Sequence, residues 1–186
     1  MLEKSEAVIE LFSELDEAIA KFQEQTGLHC KFGCGACCFK PDIEASVLEF
    51  IPLALKIYRE NKAEEVLEKL EHAASVCIVL KDVGSKGMCT QYENRGLICR
   101  LFGYSARTNK YGKRELITCQ IIKEGQPQNV SAAAEILNSP SPAPVMSDYY
   151  RRLQNIDLDL TRELFPVNTA IKKALEYVMH RMSYLS

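Results

Sequence analysis

The sequence predicts a mainly α fold, a helical bundle-like body with a Cys-rich loop region and a small β-hairpin. Three observations lead there. Apolar residues recur at helical spacing near both ends of the chain, four cysteines crowd the glycine-containing stretch Cys30 to Cys38, and two β-prone runs flank a polar loop. The 186 residues are 47% apolar and 26% charged, close to soluble globular averages, so neither a disordered polymer nor a fibrous repeat fits. A single domain over 1–186 is expected, with a Cys-cluster core at about 30–122 and a helical C-terminal tail at about 145–186.

From Leu2 to Gln25 the stripe Val8, Leu11, Phe12, Leu15, Ala18, Ile19 and Phe22 reads as one face of an amphipathic helix, stopped at Thr26-Gly27. Cys30 to Lys40 reads as a loop, with Gly33 and Gly35 among its cysteines. After Pro41, Asp42 is expected to cap a helix carrying Ile43, Val47, Leu48, Phe50 and Ile51, which Pro52 kinks or replaces with a new helix. A second periodic segment runs from Ala63 through Val66, Leu67 and Leu70 to Ala74. Between Gly84 and Ile122 the pieces are short, and Tyr104–Thr108 and Arg114–Cys119 read as a hairpin across the loop 109–113. Ser139 to Pro144 breaks periodic structure. Helices follow over Tyr149–Leu153 and Val167–Leu185, the latter with Ile171, Leu175, Val178 and Met182 on one face.

The 8 cysteines all lie between Cys30 and Cys119. The first residues lack a basic region followed by an apolar run, so they do not read as a signal peptide, and no stretch of about 18 apolar residues is present to span a membrane. A cytoplasmic location is therefore expected, where clustered thiols hold metal or do redox chemistry more readily than they pair as disulfides. Cys30-x3-Cys34-x2-Cys37-Cys38 is followed by single cysteines at Cys77, Cys89, Cys99 and Cys119. Eight sulfurs suit two four-coordinate centres, or one centre and spare thiols, and the metal is either zinc or an iron–sulfur cluster. Adjacent side chains tend to diverge, so Cys37 and Cys38 are expected to face different ligands or metals.

In its order of cysteines, in Cys89-Thr90-Gln91-Tyr92-Glu93-Asn94-Arg95 and in Cys99-Arg100-Leu101-Phe102, the chain resembles the CxxCxxCC, or YkgJ-like, cysteine-cluster family. It departs in its first spacing of three, in Gly96 after Arg95, and in Gly103 after Phe102. The resemblance runs from about Cys30 to Cys119 and implies a zinc- or iron-chelating domain with Cys30, Cys34, Cys37, Cys38, Cys77, Cys89, Cys99 and Cys119 as metal ligands. The family's usual iron–sulfur label tilts the metal toward that cluster. A related segment occurs in bacterial flagellin lysine methylases.

Around the cysteines, Arg95 and Arg100 flank Cys99 and are candidates to offset thiolate charge. Tyr92 and Phe102 read as core packing before they read as a shield for the site, and His29 as a solvent-facing loop residue before a ligand. Asp42 and Glu44 are explained by helix capping. No Walker loop, dinucleotide fingerprint or catalytic residue is identified. A net charge of −2 offers no field for nucleic acid.

The reading that emerges is a cytoplasmic protein binding one or two metal centres through thiolates, with a redox or metal-sensing role. Two alternatives stand beside it. One is a zinc-stapled interaction module that docks a protein partner through its C-terminal tail. The other is an accessory to a protein-modifying, methylase-like enzyme. Cys30, Cys34 and Cys37 also match the Cys-x3-Cys-x2-Cys spacing of radical S-adenosylmethionine sites, but a helix precedes that loop and the chain is too short for a full barrel.

Overall fold

The computed structural model describes residues 1–73, 76–82, 87–137 and 143–184. Along the chain come α1 (Leu2–Thr26), a 3-10 turn (Ala36–Phe39), β1 (Glu44–Ser46), a second 3-10 turn (Leu48–Phe50), α2 (Ile51–Arg59), α3 (Ala63–Glu71), β2 (Leu80–Asp82) and β3 (Gly87–Cys89). A third 3-10 turn (Tyr92–Asn94) leads into α4 (Leu97–Leu101), β4 (Ser105–Thr108), β5 (Arg114–Ile117), α5 (Gln120–Gly125) and α6 (Pro127–Ile136). The chain closes with α7 (Met146–Ile156), α8 (Leu158–Thr161), β6 (Leu164–Pro166) and α9 (Val167–Met182). The fold is mainly α, with 61% of the described residues helical, and its described strands pair two by two and antiparallel. Among the described residues no helix is long and apolar enough to cross a membrane.

The first helix, the hairpin, here Ser105–Thr108 with Arg114–Ile117, and the last helix form where the sequence places them. Gly27, at φ 67, ends α1 in the left-handed conformation that a Cβ disfavours. Pro52 opens α2 from its first turn. Asp42 caps no helix, however. Glu44, Ala45 and Ser46 pair in register with Pro166, Phe165 and Leu164, and this long-range ladder overrides the local helical pattern. The hairpin ends at Ile117, because Cys119 accepts from the Ile122 N–H at 3.4 Å and caps α5. Helices α4, α5, α6 and α8 leave no clear mark in the sequence, since each is short or weakly amphipathic. Ala74, Gly84, Ser139–Pro142 and Leu185 lie outside the described residues.

Two compact units are distinguished. The first comprises Met1–Ile9, Gly33–Gly96 and Gln154–Ser186. In it α9 packs against α2 and α3 and buries Ala170, Ile171, Ala174, Leu175 and Val178. The apolar face of the C-terminal helix, the surface that a docking tail would offer, is thus taken up within its own unit. Asp157 caps α8 by accepting from the Leu160 N–H at 3.0 Å and pairs with Lys4. The second unit comprises Glu10–Phe32 and Leu97–Leu153. Its buried side chains include Leu11, Phe12, Leu15, Ile19, Phe22, Leu97, Leu101, Ile122 and Leu153. Arg100, only 4% exposed, pairs there with Asp16 and lies 4.5 Å over the Phe12 ring.

Burial pushes the Asp157 carboxyl up, yet the hydrogen bonds from Lys4 and the Leu160 N–H more than offset this and hold it below the ordinary carboxylate range. A depressed folded-state pKa contributes stability that is complete above the unfolded value of about 3.9 and is lost as pH falls through the folded one. Asp157→Ala is expected to cost about 1 kcal/mol in urea unfolding at pH 7. The gap from wild type should narrow below about pH 3.

Candidate metal centre

The Cys-rich loop is shaped by glycine. Gly33 and Gly35 take φ 68 and 57, which turns the chain sharply and opens the 3-10 turn that carries Cys37 and Cys38. The loop then lies backbone to backbone on β3. The Gly87 N–H donates to the Gly33 carbonyl at 3.1 Å, and a Cβ on Gly35 would stand 2.8 Å from the carbonyl carbon and oxygen of Gly87. A second tie brings in the segment before β2, where the Cys77 N–H donates to the Cys38 carbonyl at 3.0 Å. The β2–β3 register sets Leu80 opposite Cys89, and the Leu80 N–H returns to the Cys77 carbonyl at 3.0 Å. Three stretches of the chain, 33–38, 77–80 and 87–89, are thereby laced together by main-chain bonds.

The thiols follow. Cys37 and Cys38 are neighbours on one 3-10 turn, the Cys77 main chain is bonded to that of Cys38, and Cys89 stands across the β2–β3 ladder from Leu80. The Cys38 thiol hydrogen-bonds Cys37 and lowers its pKa to about 6, against the effect of burial, with nearby backbone groups and the Arg95 charge assisting. The same thiol lowers Cys77 to about 7. Cys38 itself is pushed far up, since it stands between two sulfurs that hold negative charge more easily. Burial raises Cys89, with Cys77 and Cys37 adding to it and Arg95 opposing.

The Arg95 charge favours the Cys37 thiolate, and its guanidinium lies 3.9 Å over the ring of Tyr92. Tyr92, 60% exposed, is a platform for that arginine and not a core residue. Arg100, the other candidate, is engaged by Asp16 as described above. Phe102 is half-buried, and Asp42 and Glu44 are exposed.

The remaining cysteines are placed as follows. Cys34 is half-buried at the start of the same loop, in the first unit. In the second unit, the exposed Cys30 has its N–H bonded to the Tyr104 hydroxyl at 2.5 Å, Cys99 is on α4 and Cys119 caps α5. His29 is exposed, with Nδ1 2.9 Å from the Gly27 carbonyl and its main chain held by Gln126. All eight cysteines are free of disulfides.

One family model matches the chain over residues 29–124, and its description reads "putative zinc- or iron-chelating domain". The chain belongs to the CxxCxxCC family. No curated protein and no solved structure matches it. As a CxxCxxCC protein it belongs to a family described as chelating zinc or iron, and its soft thiol donors suit either metal. Among the described residues no three or more His, Cys, Asp or Glu side chains stand as a set that would hold an ion directly. The thiols of this CxxCxxCC chain are gathered without forming a finished coordination shell.

The sequence offered no sign of one contributor. Asn168, on α9 and well beyond the matched residues, accepts from the Ile78 N–H at 2.9 Å and donates to the Val76 carbonyl at 2.8 Å.

Gly35→Ala should disrupt the cluster, because left-handed backbone costs a Cβ about 1–2 kcal/mol and the new methyl meets the Gly87 main chain. Gly87→Ala meets first the Leu80 Cδ1 at 2.8 Å, the end of a flexible side chain that can rotate away. Metal content after anaerobic purification is expected to fall steeply in the first variant and mildly in the second.

Proposed function

We propose that Cys37, Cys38, Cys77 and Cys89 take up one zinc or iron centre, and that the protein is a thiolate metal-binding protein of a reducing, cytoplasmic setting. The observation that carries this reading is the main-chain lacing that sets the Cys37-Cys38 turn against Cys77 and against the strand that ends in Cys89. When bound, a divalent metal or iron–sulfur cluster would supply the positive charge that four thiolates need. The protein's own part is to bring the sulfurs together, to hold protons on Cys38 and Cys89 until a cation displaces them, and to balance charge with Arg95. Small side-chain rotations would complete the coordination shell.

Cys37 is exposed, so one edge of the site is open to solvent. That openness favours metal exchange or electron entry over a buried staple, and so supports a redox or metal-sensing role. An iron–sulfur cluster would give the redox form.

The test is anaerobic purification with analysis of zinc, iron and acid-labile sulfide, for wild type and single Ser variants. Stoichiometric metal in wild type and its loss in Cys38→Ser and Cys77→Ser are expected. Iron with sulfide and visible charge-transfer absorption would identify the redox form, and colourless stoichiometric zinc the exchangeable or structural one. Full metal retention by Cys77→Ser would overturn the ligand set. A metal-to-protein ratio above that of a single centre would mean that cysteines outside this set also bind metal.

A further inference from the structure

We infer that Asn168 of the C-terminal helix is the positioning residue for Cys77, so that the metal centre extends beyond the residues of the family match. This rests on the thiolate reading above. The Asn168 carboxamide bonds both peptide groups that contain Cys77. Its Nδ2 donates to the Val76 carbonyl at 2.8 Å, and its Oδ1 accepts from the Ile78 N–H at 2.9 Å. A carboxamide suits this task because one planar group offers a donor and an acceptor side by side, as a peptide edge does.

The Cys77 N–H and carbonyl are bonded as well, to the Cys38 carbonyl and the Leu80 N–H, each at 3.0 Å. Four hydrogen bonds therefore frame one cysteine. Two of them come from a helix about 90 residues further along the chain.

The position of Asn168 is itself specified. Strand β6 pairs with β1 in the register Glu44↔Pro166, and the Val167 N–H donates to the Ile43 carbonyl at 3.1 Å. The start of α9 is thus anchored to the segment that follows the Cys37-Cys38 turn. The circuit closes: Cys38 holds Cys77, Asn168 holds Cys77, and the β1–β6 ladder returns Asn168 to the chain just after Cys38. Positioning partners behind metal ligands commonly carry about 10- to 100-fold in affinity.

The test uses the full chain, with Zn²⁺ affinity read by competition with a chromogenic chelator and Co²⁺ as an optical probe of thiolate ligation. Asn168→Ala deletes both bonds. It is expected to weaken zinc binding about 10- to 100-fold, and to reduce thiolate-to-cobalt charge-transfer intensity by about a quarter, the share of one ligand in four. Exchange of the Ile78 amide in metal-free protein should accelerate. Asn168→Asp keeps the acceptor for Ile78 and removes the donor to Val76, so it should protect Ile78 yet still bind zinc more weakly. It also answers the question if the alanine variant does not fold.

Zinc binding within twofold of wild type in either folded variant, with an unchanged cobalt spectrum, would overturn the inference. Wild type that takes no metal, or Cys77→Ser that takes as much as wild type, would sink the thiolate reading and the inference with it. That failure is seen without any change at Asn168.

Discussion

The candidate centre depends on a contact in which no side chain takes part, the approach of the Gly35 and Gly87 main chains. At this distance a methyl group on Gly35 would overlap the Gly87 carbonyl, so the Cys-rich loop lies on β3 only because Gly35 lacks a Cβ. The Gly33–Gly87 and Cys38–Cys77 hydrogen bonds then become possible, and the β2–β3 register brings Cys89 to the same region. Each step is main-chain geometry. The thiols converge as a consequence, and the cluster inherits its shape from backbone that has satisfied its own donors and acceptors.

Gathering thiols is electrostatically unfavourable once they ionise, and the protonation pattern records how the chain accommodates this. The Cys38 and Cys89 thiols are pushed up and those of Cys37 and Cys77 are held down, with the Arg95 charge, stacked on Tyr92, favouring the Cys37 thiolate. A cation would replace those protons and strengthen every link at once. In metal-dependent modules such binding supplies about 10–16 kcal/mol of apparent free energy, so segments that hold few apolar contacts of their own can depend on it for order. The rest of the first unit has a conventional apolar core, built on α2 and α9.

Much of this was legible in the sequence, because much of it is local. The periodicity of Leu11, Leu15, Ile19 and Phe22 marks α1, that of Ile171, Leu175 and Val178 marks α9, and the cysteine order marks the family. What could not be read is what depends on distant partners. Glu44–Ser46 looks helical until its pairing with Leu164–Pro166 is known. Arg95 and Arg100 look equivalent beside Cys99, and only the fold sends one to the thiols and the other to Asp16. Asn168 is one polar residue at a helix start, with no motif about it, and its two bonds around Cys77 are visible only in three dimensions.

The central claim is that sulfur alone binds the metal. X-ray absorption at the zinc or iron K edge of the anaerobically purified protein measures this most directly. The account predicts a first shell of sulfur at about 2.3 Å with no nitrogen or oxygen, unchanged in His29→Ala. A first shell containing nitrogen or oxygen scatterers near 2.0 Å would contradict it.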